Sequence, residues 1–141
     1  MHDLTIQIKD KKGDTAIRLK NFVISSKSKP LLVDMDIEVD VNDFKAKINT
    51  TVLYSEIEGT VDQLEVLYKT LTRTFWFFDL DQRVAIKFAP TATGNIQISG
   101  NIKSLDYATS SEFMFGTDQS FIPELISQIK NVLKTLNSWF F

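Results

Sequence analysis

From Leu4 the chain alternates, with Leu4, Ile6 and Ile8 on one side and Thr5, Gln7 and Lys9 on the other, which is the period of a half-buried strand. Lys11-Lys12-Gly13-Asp14 then supplies a turn. Thr15 to Ser25 places Ile17, Leu19 and Val23 at matching parity, and Asn21 interrupts the series, which predicts a bulge or bend. Ser26 to Pro30 reads as a loop. The most regular stretch follows: Val33, Met35, Ile37, Val39 and Val41 alternate without error with Asp34, Asp36, Glu38 and Asp40. Beyond Asn42-Asp43 the alternation resumes, with Phe44, Ala46, Ile48, Thr50 and Val52 against Lys45, Lys47 and Asn49. With Asn42 and Asp43 as a two-residue hairpin loop, Asp40 faces Lys45 and Glu38 faces Lys47. A slip of one residue would turn the acids toward the core, so burial fixes this register.

Helical spacing appears twice. Thr60-Val61-Asp62-Gln63 has the form of a capping box, and Val61, Leu64, Leu67, Tyr68 and Leu71 follow at helical intervals, predicting a helix over about 61–73. Ile122, Leu125, Ile126, Ile129, Val132, Leu133 and Leu136 predict a second over about 121–136, with Asp118 or Ser120 as its cap and Pro123 in its first turn. Asn137 to Phe141 trails behind it, and its aromatic residues are expected to fold back on the core or to lie on a partner. Between the helices, Thr74 to Leu80, Arg83 to Ala89, Asn95 to Leu105 and Glu112 to Phe115 read as strands of a meander, with Gly100 a point of close approach and Phe113 and Phe115 inward. No internal repeat is visible. The expectation is a single α+β domain over 1–141, with a largely antiparallel sheet of about seven to eight strands and two amphipathic helices.

Composition narrows the chemistry. In 141 residues, 43% are hydrophobic and 24% charged, which favours a folded domain over disorder. Without any Cys there is no disulfide, thiolate nucleophile or Cys-ligated metal. His2 is the only histidine, so the usual general base is missing and a metal would depend on carboxylates. The first residues lack a basic and an apolar segment, and no run of about 18 apolar residues occurs, so a soluble cytoplasmic domain is expected.

The formal net charge of −2 hides a strong local asymmetry. Residues 1–30 hold seven basic side chains against three acidic, residues 31–65 two against nine, and residues 66–141 seven against six. Asp34, Asp36, Glu38, Asp40, Asp43, Glu56 and Glu58 form the acidic block. They could be a solvated strand face, a docking surface that steers a basic protein, or a Ca²⁺ or Mg²⁺ site. Successive acids on a flat strand diverge at roughly 6–7 Å spacing, which disfavours the metal. Asp79 and Asp81 could in principle act as an acid and base, but Asp-Leu-Asp-Gln is also ordinary turn chemistry. Phe75-Trp76-Phe77-Phe78 could stack bases or line a pocket, but it reads more simply as a strand covered on both faces. An apolar cavity lined by Trp76, Phe78, Phe88 and Phe113 would suit a small-molecule or lipid carrier.

Glu112-Phe113-Met114-Phe115-Gly116-Thr117-Asp118-Gln119-Ser120-Phe121 has alternating aromatics, then Asp-Gln-Ser and an apolar residue at the head of the last helix. With Gly94-Asn95-Ile96-Gln97-Ile98-Ser99-Gly100 and the Leu-rich helix before the aromatic strand, Leu64 to Phe78, this C-terminal part resembles the WapI-like family of bacterial immunity proteins. The resemblance implies a non-enzymatic, cofactor-free cytoplasmic antidote. Such a protein binds the toxic C-terminal domain of a polymorphic or contact-dependent toxin, in several cases a nuclease; the residues themselves add the expectation of no nucleic-acid or membrane partner and of a monomer or weak homodimer. Phe113, Phe115, Asp118, Gln119 and Ser120 are expected to serve the fold, with Asp118 or Ser120 capping the helix and Gln119 bonding the strand end.

Overall fold

A computed structural model describes residues 4–140, leaving His2, Phe141 and the side chain of Phe140 outside the described residues. Its eight strands are antiparallel and form two four-stranded meanders, not one sheet. The first holds β1 (Thr5–Lys9), β2 (Thr15–Ser26), β3 (Leu32–Val41) and β4 (Phe44–Leu53), followed by α1 (Tyr54–Thr70). The second holds β5 (Phe75–Phe78), β6 (Val84–Pro90), β7 (Asn95–Lys103) and β8 (Ser110–Asp118). A single 3-10 turn (Gln119–Phe121) leads from β8 into α2 (Ile122–Phe140).

Strand alternation decides which face is buried. Val33, Met35, Ile37, Val39 and Val41 of β3 point inward, and the β3–β4 register places Asp40 opposite Lys45 and Glu38 opposite Lys47. The loop between them is the two residues Asn42 and Asp43, and Asn42 takes the positive φ (54°). Asn21 is indeed a bulge, with φ 58° and a register shift between Lys20 and Val23. The extra residue reverses parity, so Phe22 is buried and Val23 is exposed, contrary to the pattern read from Ile17 and Leu19.

Both helix boundaries differ from the sequence reading. α1 starts at Tyr54, not 61; Thr60 is buried within it, and its hydroxyl donates to the Glu56 carbonyl at 2.8 Å. The apparent capping box is thus mid-helix sequence. Leu71 ends α1 in the left-handed conformation, its N–H bonded to Leu67 O at 2.9 Å. α2 runs to Phe140 instead of stopping near 136, which makes Trp139 a helical residue, partly exposed.

Inward residues of both sheets and of α1 (Ile57, Val61, Leu64, Leu67) and α2 (Ile122, Leu125, Ile129, Val132, Leu136) join one core. Gly100 lets the Phe113 ring lie over β7, since a Cβ there would collide with that ring.

The order of elements is the same in each half: four antiparallel strands, then a helix. The detail repeats as well. Two residues after β1, Lys11 N donates to Gly116 O on β8 at 3.0 Å; two residues after β5, Leu80 N donates to Thr51 O on β4 at 2.8 Å. Each half therefore hooks its first hairpin onto the last strand of the other. The hairpins are built alike, with Asp10 and Asp79 accepting from Asp14 N and Val84 N at 3.0 Å, and with positive φ three residues on, at Gly13 (87°) and Gln82 (57°).

Candidate functional site

The acidic row of β3 lies on the outer face of the first sheet, and its neighbours occupy it. Glu38 lies 3.2 Å from Lys20, 3.8 Å from Arg18 and 3.9 Å from Lys47. Asp36 accepts from the side-chain amides of Asn21 at 2.7 Å and Asn49 at 2.8 Å. Thr51 Oγ1 donates to Asp34 at 2.5 Å. Asp40 sits opposite Lys45 in the register. Across β2 to β4 the four acids share the face with four cations, Arg18, Lys20, Lys45 and Lys47, three of which lie within 4 Å of Glu38.

The remaining acidic candidates lie elsewhere. Asp43 occupies the β3–β4 turn, while Glu56 and Glu58 belong to α1. Burial pushes the Glu56 carboxyl above its usual range, opposed by the Phe78 N–H that donates to it. Burial, and then the Glu58 charge, raise the Tyr54 hydroxyl. Asp79 is buried and holds Thr50 Oγ1 at 2.5 Å and Val84 N at 3.0 Å, bonds that lock the β5–β6 turn, whereas Asp81 is exposed. Among the described residues no group of three His, Asp or Glu side chains is placed to hold a metal ion.

The C-terminal motif fastens elements together. Asp118 accepts from Ser120 N at 2.9 Å, capping the turn that opens α2. Gln119 does not bond the strand end; its amide donates to Tyr68 O at 2.8 Å, in the last turn of α1. Phe113 is buried against Phe44, with ring centroids 5.8 Å apart, and Phe115 is partly buried beside it.

The carrier arrangement is overturned by side-chain direction. Phe75 and Phe77 point into the core, so Trp76 and Phe78 point out, on the face opposite Phe88 and Phe113. An apolar cavity of about 30 Å³ lies instead among Ile6, Leu19, Met35, Leu64, Phe88 and Ile129. A ligand pocket needs roughly 300 Å³ or more.

The second sheet's outer face is the feature that the sequence reading missed. Cross-strand register places Phe78, Ala85, Asn101 and Glu112 in one row and Trp76, Lys87, Ser99 and Met114 in the next, with Arg83 and Lys103 at the end of the sheet. Trp76 is 46% exposed, Phe78 41% and Met114 56%. The Trp76 and Phe78 rings lie nearly parallel, 5.8 Å apart, and Lys87 Nζ is 5.6 Å from the Trp76 ring centre. A shallow trough of about 450 Å³ runs beside them over Ser99, Gly100 and Asn101 to Glu112 and Met114. Strict alternation in β5, opposite the polar Lys87 and Ser99, was the available signal.

Three solved structures are among those similar to this chain: MRP1/MRP2 of Trypanosoma bruciei (7% identity, 97% of this chain and 86% of that one, TM-score 0.48), WHY1 from Arabidopsis thaliana (15%, 98% and 86%, 0.49) and the plant transcriptional regulator PBF-2 (12%, 98% and 83%, 0.47). Likenesses this distant carry no argument about function. No curated protein matches the sequence. The family of WapI-like immunity proteins does match, over residues 24–137, which takes in β3, β4, both helices and the whole second sheet. With most of the chain covered, including the Gly100–Phe113 packing and the Asp118-Gln119 junction, the protein belongs to the WapI-like immunity protein family.

Proposed function

We propose that this protein is an antidote: it binds the toxic domain of a cognate bacterial toxin and silences it by covering the surface with which that toxin acts. The family match over residues 24–137 carries the reading. What the side chains do supports it. Of the two acids weighed for catalysis, Asp79 is spent in bonds that hold the β5–β6 turn, away from the exposed Asp81, and the interior has room for about one water. Inhibition by coverage needs no reacting group, only about 800 Å² of complementary surface per partner, roughly a tenth of the 7967 Å² that this molecule exposes. The protein acts in the cytoplasm, as a monomer or weak dimer, and needs no cofactor.

The test is to express in bacteria the C-terminal domain encoded by the gene immediately upstream, with and without this protein, and to assay the purified pair. The expected outcome is survival of the co-expressing cells and loss of the toxin's own reaction at one equivalent of antidote. Toxicity undiminished by co-expression, with no complex between the purified proteins, would overturn the reading.

A further inference from the structure

The two sheets present opposite kinds of outer face. On the first, Glu38 lies within 4 Å of Arg18, Lys20 and Lys47, while Asp36 is held by two asparagine amides and Asp34 by the Thr51 hydroxyl, so three of its four acids are engaged within the molecule. On the second, Arg83, Lys87 and Lys103 have no carboxylate within 4 Å among the described residues, and the outward acids of its strands are Glu112 and, at the far end of β8, Asp118. Arg83 Nε is also buried with no hydrogen-bond partner. The second face therefore combines positive charge without an ion-pair partner with three exposed apolar side chains, Trp76, Phe78 and Met114, where the first face exposes the small Val23.

We propose that the outer face of the second sheet is the surface that takes the toxin, and that it fits a protein patch with an apolar centre and an acidic rim. The inference rests on the antidote reading and specifies its docking site. Trp, Met and Arg are the residue types that concentrate at the energetic centre of protein interfaces, and a wide aromatic pair flanked by cations has that composition. The Trp76 and Phe78 rings already lie parallel with Lys87 over Trp76, contacts that reduce the side-chain freedom to be lost on binding. Charge complementarity gives the rim: carboxylates on the toxin would meet Lys87, Lys103 and Arg83, while Ala85, Ala89 and Ser99 keep the strands between low enough for a convex surface to approach. This reverses the polarity expected from the acidic block, whose Glu38 is shared by three cations of the first sheet.

Trp76→Ala and Phe78→Ala remove exposed atoms, and Lys87→Glu with Lys103→Glu reverses the rim. The affinity of each variant for the purified toxic domain is compared with that of the parent, with Lys45→Ala on the first sheet as control. The expected result is at least tenfold weaker binding for Trp76→Ala, and for the double reversal a slower association that no longer falls with added salt. Lys45→Ala stays within twofold. In a Trp139→Phe background Trp76 is the only tryptophan, and its emission should move to shorter wavelength when toxin covers it. Affinity within twofold in all these variants, with unmoved emission, overturns the assignment of the face while leaving the antidote reading intact. A parent protein that binds no toxin overturns both. A 20-nucleotide single-stranded DNA probe is titrated in parallel; binding that Trp76→Ala abolishes, with toxin affinity unchanged, would make the face a nucleic-acid platform and refute the proposal.

Discussion

Two asparagine amides, from Asn49 and then Asn21, together with Lys47 and Lys20, hold the Asp36 carboxyl below its ordinary 3.8. A lowered folded-state value means that the unfolded chain binds the proton more readily. The stability supplied by this group is therefore fully present above the ordinary value and disappears as pH falls through it toward the folded one. Asp36→Asn should cost up to about 1 kcal/mol near neutral pH, the small figure reflecting a partly solvated site. Urea midpoints of variant and parent should converge below pH 3.8, and a gap that persists or grows in acid would refute the account. Half of this site was legible in the sequence. A two-residue loop between two faultless alternations left only one register, so Lys45 and Lys47 could be set opposite their acids. Asn21 could be read as a bulge, but not the parity reversal that buries Phe22, nor the swing of its amide onto Asp36. Those depend on which way an inserted residue kinks the strand, and a one-dimensional pattern does not record that.

At the scale of the element, the four sheet edges must be kept from pairing with other chains. β8 is met by Lys11 N and β4 by Leu80 N, as the hairpins hook across. On β1, Gln7 N donates to Gln128 Oε1 of α2 at 2.7 Å, and on β5, Phe78 N meets Glu56 of α1. Gln128→Ala leaves the Gln7 amide without that partner. The expected cost is about 1 kcal/mol, and amide exchange should accelerate at Gln7 more than at Ile17, whose strand lies inside the sheet. Equal acceleration at both would mean that the bond does not protect the edge. None of these contacts could be foreseen, because each joins residues distant in the chain. The start of α1 was hidden for a more local reason. Its cap position is Leu53, with no side-chain bond to the first turn, and the Thr60 to Gln63 sequence imitates the missing signal seven residues later. Where the cap is a side chain, at Asp118, the reading from sequence had narrowed it to Asp118 or Ser120. Strand faces were legible because burial in a sheet has period two, although in β5 that same period puts Trp76 and Phe78 in solvent, and four consecutive aromatics looked like core.

The whole molecule is two copies of one topology sharing one core. Its repeat escaped the sequence because equivalent positions are filled by different residues: Gly13 and Gln82 both take positive φ, and only the Asp that begins each turn is common. What repeats is backbone chemistry, which many side chains satisfy. The halves are nonetheless not separable units. α2 follows the second sheet but lies along β1 of the first, through the Gln7 to Gln128 bond and the ion pair of Lys9 with Glu124 at 3.3 Å. α1 follows the first sheet and sends Glu56 to the second. Neither sheet can open without uncovering apolar surface that the other half's helix covers, so the molecule should unfold as one cooperative unit. Ile37 in β3 and Ile98 in β7 are both fully buried at the centres of their sheets, and their amides test this. Val33→Ala deletes buried methyl groups in the first sheet alone and should cost about 1–3 kcal/mol. If the two halves are coupled, exchange should speed up by the same factor at Ile98 as at Ile37, on the order of tenfold or more. Acceleration confined to Ile37 would show that the second sheet stands without the first, and the single shared core would then not govern stability.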